Sequence, residues 1–140
     1  MSGGLQVVAM PDAEQVTVRI LKSALPAGTI VGTEWPKGWD SKLASGIASV
    51  TLGGGGSRLK PVTADRTVDI DILGATKKQA RDLAAAASAH LIAAQGTTQH
   101  GARIYGVDET SLIWLPYKPS AETDAIPRYV LVMSMVVRPA

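Results

Sequence analysis

The chain has no cysteine and no phenylalanine, and only 4% of its 140 residues are aromatic. Without cysteine, disulfides and thiolate metal ligands are excluded, so stability must come from packing. No apolar run approaches the roughly 18 residues that a membrane span needs, and the first ten residues lack the basic and apolar parts of a signal peptide. We therefore expect a soluble protein, made in a cytoplasm, with no membrane partner.

A strong charge of one sign is also missing. Fourteen basic residues against 12 acidic ones give a formal charge of +2, which is too weak for a nucleic-acid footprint. A loose basic series surrounds the glycine-rich segment and the second predicted helix, where it would face DNA or an acidic partner if it converged, although scattered solvated charge is the commoner arrangement. The series is Arg58, Lys60, Arg66, Lys77, Lys78 and Arg81.

The remaining composition, 46% hydrophobic and rich in alanine, valine, isoleucine and leucine, is typical of one globular domain over residues 1–140, with a flexible start at 1–10. Two helices are predicted, at 13–25 and 77–95. Each begins with a capping pair, Asp12 with Gln15 and Thr76 with Gln79, whose side chains satisfy free amides of the first turn. Pro26 ends the first helix and Gly96 ends the second.

Five strands are predicted from β-branched and alternating patterns, at 29–35, 47–52, 66–73, 102–110 and 128–137. Together with the helices they indicate an α+β fold, a mixed α/β layer in which a five-stranded sheet carries both helices on one face. Long loops are predicted at 53–65 and 111–127. The last strand is apolar on both faces, so we expect a neighbouring subunit to cover the face that the helices leave free.

Asp69 and Asp71 are the best pair of candidate catalytic carboxylates, because residues two apart on a strand project to the same side. A metal-dependent hydrolase using this pair is a remote alternative, since no third acid or histidine follows at a useful spacing and a solvated strand face explains both residues. His90 and His100 supply only two potential ligands, and we expect His90 to be partly buried and hydrogen-bonded.

The glycines at 53–56 lead into a polar segment rather than a helix, which disfavours a phosphate-binding loop and favours a flexible assembly arm. No serine lies in a nucleophile elbow, and no nucleophile has a recognisable base. The sequence therefore predicts a protein that is not an enzyme, with no cofactor and no bound metal.

The C-terminal half carries more specific patterns. Asp69-x-Asp71-x-x-Gly-Ala-Thr-Lys77 leads into an alanine-rich helix with Arg81-Asp-Leu-Ala84, and Trp114-Leu-Pro116 precedes Ile126-Pro-Arg-Tyr-Val130 and a terminal Val-Val-Arg-Pro139. With the opening Met10-Pro-Asp-Ala-Glu14, this order resembles the tail terminator proteins of long-tailed, siphovirus-type bacteriophages. The glycine-rich segment departs from that pattern, as does 118–124, which replaces the usual Asp-Pro-x-Thr-Gly-type turn.

The resemblance implies a virion structural protein that assembles in the host cytoplasm and resides in the neck region of the tail. It would form a homohexameric ring on the head-proximal end of the tail tube. That ring stops polymerisation of the tail tube protein and presents the surface that joins the head-tail connector. DNA would pass through it without sequence-specific binding. Another neck protein, a head-completion or connector subunit, is the alternative reading.

We expect the segments 53–65 and 111–127 to make most of the intersubunit or tube contacts, and we expect aromatic and arginine residues to anchor these contacts because such side chains dominate interface energetics. The candidates are Trp114, Tyr117, Arg128, Tyr129 and Arg58, with Ile92 as an exposed apolar residue on the second helix. Ordinary core packing remains the alternative for Trp114 and Tyr129. Asp69 and Asp71 are candidates for the ring lumen, where acidic groups would keep DNA from adhering.

Overall fold

The structure is a computed structural model that describes residues 7, 9–59 and 63–140. It has two helices, α1 (Ala13–Ala24) and α2 (Lys77–Ala93), and six strands: β1 (Ile30–Gly32), β2 (Ile47–Leu59), β3 (Thr63–Leu73), β4 (Thr98–Gln99), β5 (Ala102–Trp114) and β6 (Arg128–Pro139). Short 3₁₀ turns occupy Trp39–Ser41 and Leu43–Ser45. The α+β class with two helices is confirmed. The expected flexible start at 1–10 lies largely outside the described residues.

Side-chain caps fix the starts of both helices as predicted. The Asp12 carboxylate accepts hydrogen bonds from the amides of Glu14 and Gln15, at 3.0 and 3.2 Å. The Thr76 hydroxyl accepts from the amide of Gln79 at 3.1 Å. These bonds satisfy donors that the first turn of a helix leaves without intrahelical partners.

The strands form one mixed sheet in the order β1-β2-β3-β6-β5-β4, in which only β1 and β2 are parallel. The predicted count of five strands is wrong, because the two-residue strand β4 pairs with Ala102 and Arg103 at the start of β5. Both long edges of the sheet are therefore covered only at one end, by β1 on the β2 side and by β4 on the β5 side.

One face of the sheet packs with both helices into a single core. On β6 the side chains alternate, so that Leu131, Met133, Met135 and Val137 are buried while the residues between them are half-buried. The core cluster also contains alternate residues of β3 and the apolar stripes of both helices. Burial of apolar side chains on this face stabilises the fold, at about 25 cal/mol per Å² removed from water.

The predicted loop at 53–65 is wrong over most of its length. Glycines 54, 55 and 56 pair in register with Thr67, Arg66 and Asp65, so β2 and β3 continue well beyond the predicted ends. A β-bulge lies between Leu52 and Gly54. Glycine is required at Gly55, with φ +124°, because a Cβ there would lie 2.1 Å from the Asp65 carbonyl oxygen. Close approach of two backbones therefore explains the glycine at position 55.

The other strand boundaries also shift. The predicted loop at 111–127 begins only after Trp114, because residues 111–114 pair with Tyr129–Val132 on β6. The predicted strand at 29–35 is shorter, and only Ile30–Gly32 lie in the sheet. Trp35 leaves the ladder because its ring packs against Trp39 and Tyr117, as described below.

Candidate assembly interface

The edge of the sheet along β5 is open over half its length. The amide of Leu115 donates to the Arg128 carbonyl, at 3.0 Å, on the β6 side. Backbone groups alternate between the two sides of an antiparallel strand, so those of Ile113 also point toward β6, whereas those of Leu112 and Trp114 point to the outer edge. Because of the β-bulge between Glu109 and Ser111, the backbone groups of Glu109 also point to the outer edge.

Outward backbone groups in the first part of β5 have hydrogen-bond partners, whereas, in the described part of the chain, those from Glu109 to Trp114 do not. The Ile104 amide donates to the Thr97 carbonyl at 2.9 Å, and the Val107 amide donates to the Gln95 side-chain oxygen at 3.0 Å. From Glu109 to Trp114 no outward backbone group has a hydrogen-bond partner within the described residues. Such a row of free donors and acceptors is a template for another strand.

Apolar side chains flank the open part of β5. Leu112 is 38% exposed, Ile113 is 50% exposed and Leu115, just beyond the strand, is 49% exposed. Asp108 and Glu109 lie at its lower end, also exposed, and neither forms an ion pair in the part of the chain that the structure describes. The edge thus combines unpaired backbone groups, exposed apolar area and two free carboxylates.

The opposite edge, along β2, is protected differently. Strand β1 covers residues 47–49, and the Leu52 amide donates to the Glu14 carboxylate at 2.8 Å. Leu52 itself is 45% exposed. Beyond the bulge, the glycines 54–56 extend past this protection with both faces exposed. Because backbone groups alternate between the two sides of an antiparallel strand, those of Gly55 and Ser57 point to the outer edge.

The face of the sheet that lacks helices is partly polar and partly apolar. Asp69 and Asp71 lie on it, half-buried, opposite Val132 and Val130 of β6. The indole nitrogen of Trp35 donates to the Asp71 carboxylate at 3.1 Å. Half-buried valines on this face agree with the expectation of a last strand that is apolar on both sides.

Three aromatic rings close one end of this face. The ring centroids of Trp35, Trp39 and Tyr117 lie 5.0 to 5.7 Å apart with edge-to-face geometry. Arg128 stacks over the Tyr117 ring at 5.5 Å and donates to the Leu115 carbonyl at 2.8 Å. The rings pack against one another and so hold the segment with Trp35 and Trp39 against the segment with Tyr117. Because they fill the space between them, they form no cavity for a ligand.

The other predicted anchors occupy three different environments. Tyr129 is buried in the core and Trp114 packs on it, with ring centroids 5.0 Å apart, so core packing, the alternative kept open for both residues, describes them in the single chain. Lys77 lies over the Trp114 ring at 4.6 Å. Ile92 is 44% exposed on α2. The Arg58 side chain lies outside the described part of the structure.

The described residues contain no group of three histidine or acidic side chains close enough to hold a metal. The prediction that His90 is partly buried and hydrogen-bonded is wrong: its side chain is exposed on α2, because it falls outside the buried stripe of that helix. Asp69 packs against the bulge glycine Gly53, where a Cβ would lie 2.9 Å from its carboxylate oxygen. Within the described segments, no helix is both long and apolar enough to cross a bilayer.

A cleft of about 620 Å³ lies between the first turns of α2 and the residues around Pro26 and Ala44. The exposed pair Lys78 and Asp82 crosses one side of it, with a nitrogen-oxygen distance of 2.6 Å. The Lys78 hydrogen bond lowers the pKa of Asp82 below its ordinary value of 3.8. Ion pairs of this exposure contribute little to stability.

No family model matches the chain, and no curated protein matches its sequence. The sequence offers aromatic and arginine residues as candidate anchors, but it did not predict the open edge of β5. The signal was present in the run Ser111-Leu-Ile-Trp-Leu115, which is apolar and contains no proline or lysine, the residues that commonly block an edge strand.

Proposed function

We propose that this chain is a structural protein of a long-tailed bacteriophage, a tail terminator that assembles into a homohexameric ring on the head-proximal end of the tail tube. The observation that carries the proposal is a sheet with an unpaired edge and an uncovered face. One long edge has free backbone groups from Glu109 to Trp114, and one face has half-buried valines without a covering layer. A subunit completed by its neighbours fits both features.

In the proposed arrangement both helices cover one face of the sheet, and neighbouring subunits complete its open edge and cover only part of the other face, which leaves Asp69 and Asp71 at the lumen. The resemblance of the segments 69–77, 114–116 and 126–139 to tail terminators supports this assignment. The function is performed by interface geometry, without bond chemistry. One face of the ring matches the last ring of tail tube protein, and the other lacks that self-complementary surface, so growth stops.

The proposed partners are further copies of the chain, the tail tube protein and the head-tail connector. DNA passes through the ring without sequence-specific contacts, and Asp69 and Asp71 are the proposed lumen residues. Both lie on the helix-free face of β3, and carboxylates there would repel phosphate groups. Asp69→Lys combined with Asp71→Lys is expected to slow DNA ejection. Unchanged ejection and infectivity would exclude this placement.

Disruption of this reading frame in the phage or prophage that carries it tests the function. Negative-stain microscopy should score tail length and head attachment in the same particles. We expect tubes of uncontrolled length without heads. Tails of uniform normal length that fail to join heads would indicate another neck protein instead of a tail terminator. Joined, infectious particles would indicate that the chain is not a virion protein.

A further inference from the structure

The two open edges of the sheet complement each other in direction. In the sheet order, β5 and β2 lie toward opposite sides, and they run antiparallel because each is antiparallel to its neighbour across β6 and β3. Two copies in the same orientation, displaced relative to each other along the strands, therefore bring β5 of one copy antiparallel to β2 of the next. This contact uses two different surfaces, so it repeats from copy to copy and forms a ring when the rotation between copies closes.

The exposed apolar residues lie on these same edges. Leu112, Ile113 and Leu115 flank the open part of β5, and Leu52 lies on β2. Edge pairing would remove them from water while it satisfies backbone groups that have no partner in one chain. The glycines 54–56 of β2 present no side chains that would hinder a close backbone approach.

We propose that residues 109–112 of β5 pair with residues 55–57 of β2 in a second copy, with Leu112 opposite Gly55, Ser111 opposite Gly56 and Glu109 opposite Ser57. This inference rests on the proposed ring and names the surfaces that build it. Outward backbone groups meet at Leu112 and Gly55, and again at Glu109 and Ser57. The bulge residue Thr110 is unpaired.

Charge disfavours a contact between two β5 edges. Asp108 and Glu109 are exposed carboxylates without an ion pair among the described residues. Like charges directly across two strands destabilise a pair. A contact between the β5 edges of two copies would bring Asp108 and Glu109 of both copies close together.

Cysteine crosslinking tests the pairing directly, because the chain has no cysteine of its own. Ser111 and Gly56 lie on the same, helix-free face, and a Cβ at Gly56 has no atom within 4 Å. Purified Ser111→Cys and Gly56→Cys chains are mixed and oxidised. We expect a disulfide-linked dimer that contains one chain of each kind. Glu122→Cys, in an exposed loop, replaces either partner as a control and should give none.

Each other outcome overturns a distinct statement. Homodimers of Ser111→Cys alone would show a two-fold β5 contact and overturn the proposed register. Rings seen by microscopy without a mixed disulfide would overturn the edge pairing but leave the proposed function intact. Mixed disulfides in open chains that never close into rings would support the pairing and count against the ring.

Discussion

The edges along β2 and β5 show two ways of ending a sheet. On β2, the short parallel strand β1 and the Glu14 carboxylate form hydrogen bonds with the outward backbone groups as far as Leu52. The glycine segment follows beyond this protected part. On β5, Gln95 satisfies Val107 and then protection stops, although the strand continues for seven more residues to Trp114. An edge that a monomer leaves open over such a length is a liability unless a partner covers it.

Proline substitutions break this comparison most strongly. The Ile113 amide points toward β6, so Ile113→Pro removes a ladder hydrogen bond and should lower the free energy of unfolding by more than about 2 kcal/mol. The Leu112 amide points outward, so Leu112→Pro should cost less than about 1 kcal/mol beyond its side-chain effect. Urea unfolding followed by circular dichroism measures both. Equal losses would contradict the assigned directions.

The glycine segment of β2 offers the next largest effect. Gly55→Ala places a Cβ 2.1 Å from a backbone oxygen and should lower the free energy of unfolding by about 3 kcal/mol, because two backbones must separate. Gly56→Ala is the matched control, with open space around its Cβ, and should change stability by less than about 0.5 kcal/mol. If both glycines tolerated alanine, the continuous β2 to β3 ladder would be wrong.

Removal of the β2 protection sharpens the comparison. Glu14→Ala leaves the Leu52 amide without its acceptor and should lower the free energy of unfolding by about 1 kcal/mol. Glu14→Gln keeps an acceptor oxygen and should lose less than half of that. Amide hydrogen exchange at Leu52 provides a local readout, which should accelerate in the alanine variant only. Unchanged exchange there would show that Glu14 does not protect this edge.

The smallest effect belongs to an ion pair far from both edges. Asp82→Asn removes the exposed contact with Lys78 and should leave the unfolding midpoint at pH 7 unchanged within error. The pKa of Asp82 is lowered in the folded chain, so any stabilisation is present above pH 3.8 and is lost as pH falls through the lowered value. A clear midpoint shift at neutral pH would contradict this.

The sequence predicted the features that depend on local chemistry. Alternation in β3 and the caps at Asp12 and Thr76 were located correctly, because a strand period of two and a capping oxygen act within a few residues. The strand through Gly54 to Gly56 was missed. Glycine has weak strand propensity, and its pairing depends on close contact with Asp65, which only the folded sheet provides.

The candidate interface was predictable only in part. Aromatic and arginine residues were identified by type, but the fold places Tyr129 in the core and Tyr117 in a clamp with Trp35. Whether an edge is open depends on strand order, and strand order brings together residues distant in sequence. The two-residue strand β4, which decides where the protection of β5 ends, has no periodic signal.

The mass of assembled particles tests the central claim most directly. Native mass spectrometry, over a range of protein concentrations, should compare the unchanged chain with Leu112→Pro and with Leu112→Val, which keeps the outward amide. We predict closed assemblies of six chains for the unchanged protein and for Leu112→Val, and single folded chains for Leu112→Pro. Assembly of Leu112→Pro as complete as that of the unchanged chain, or single chains of the unchanged protein at every concentration, would contradict the account.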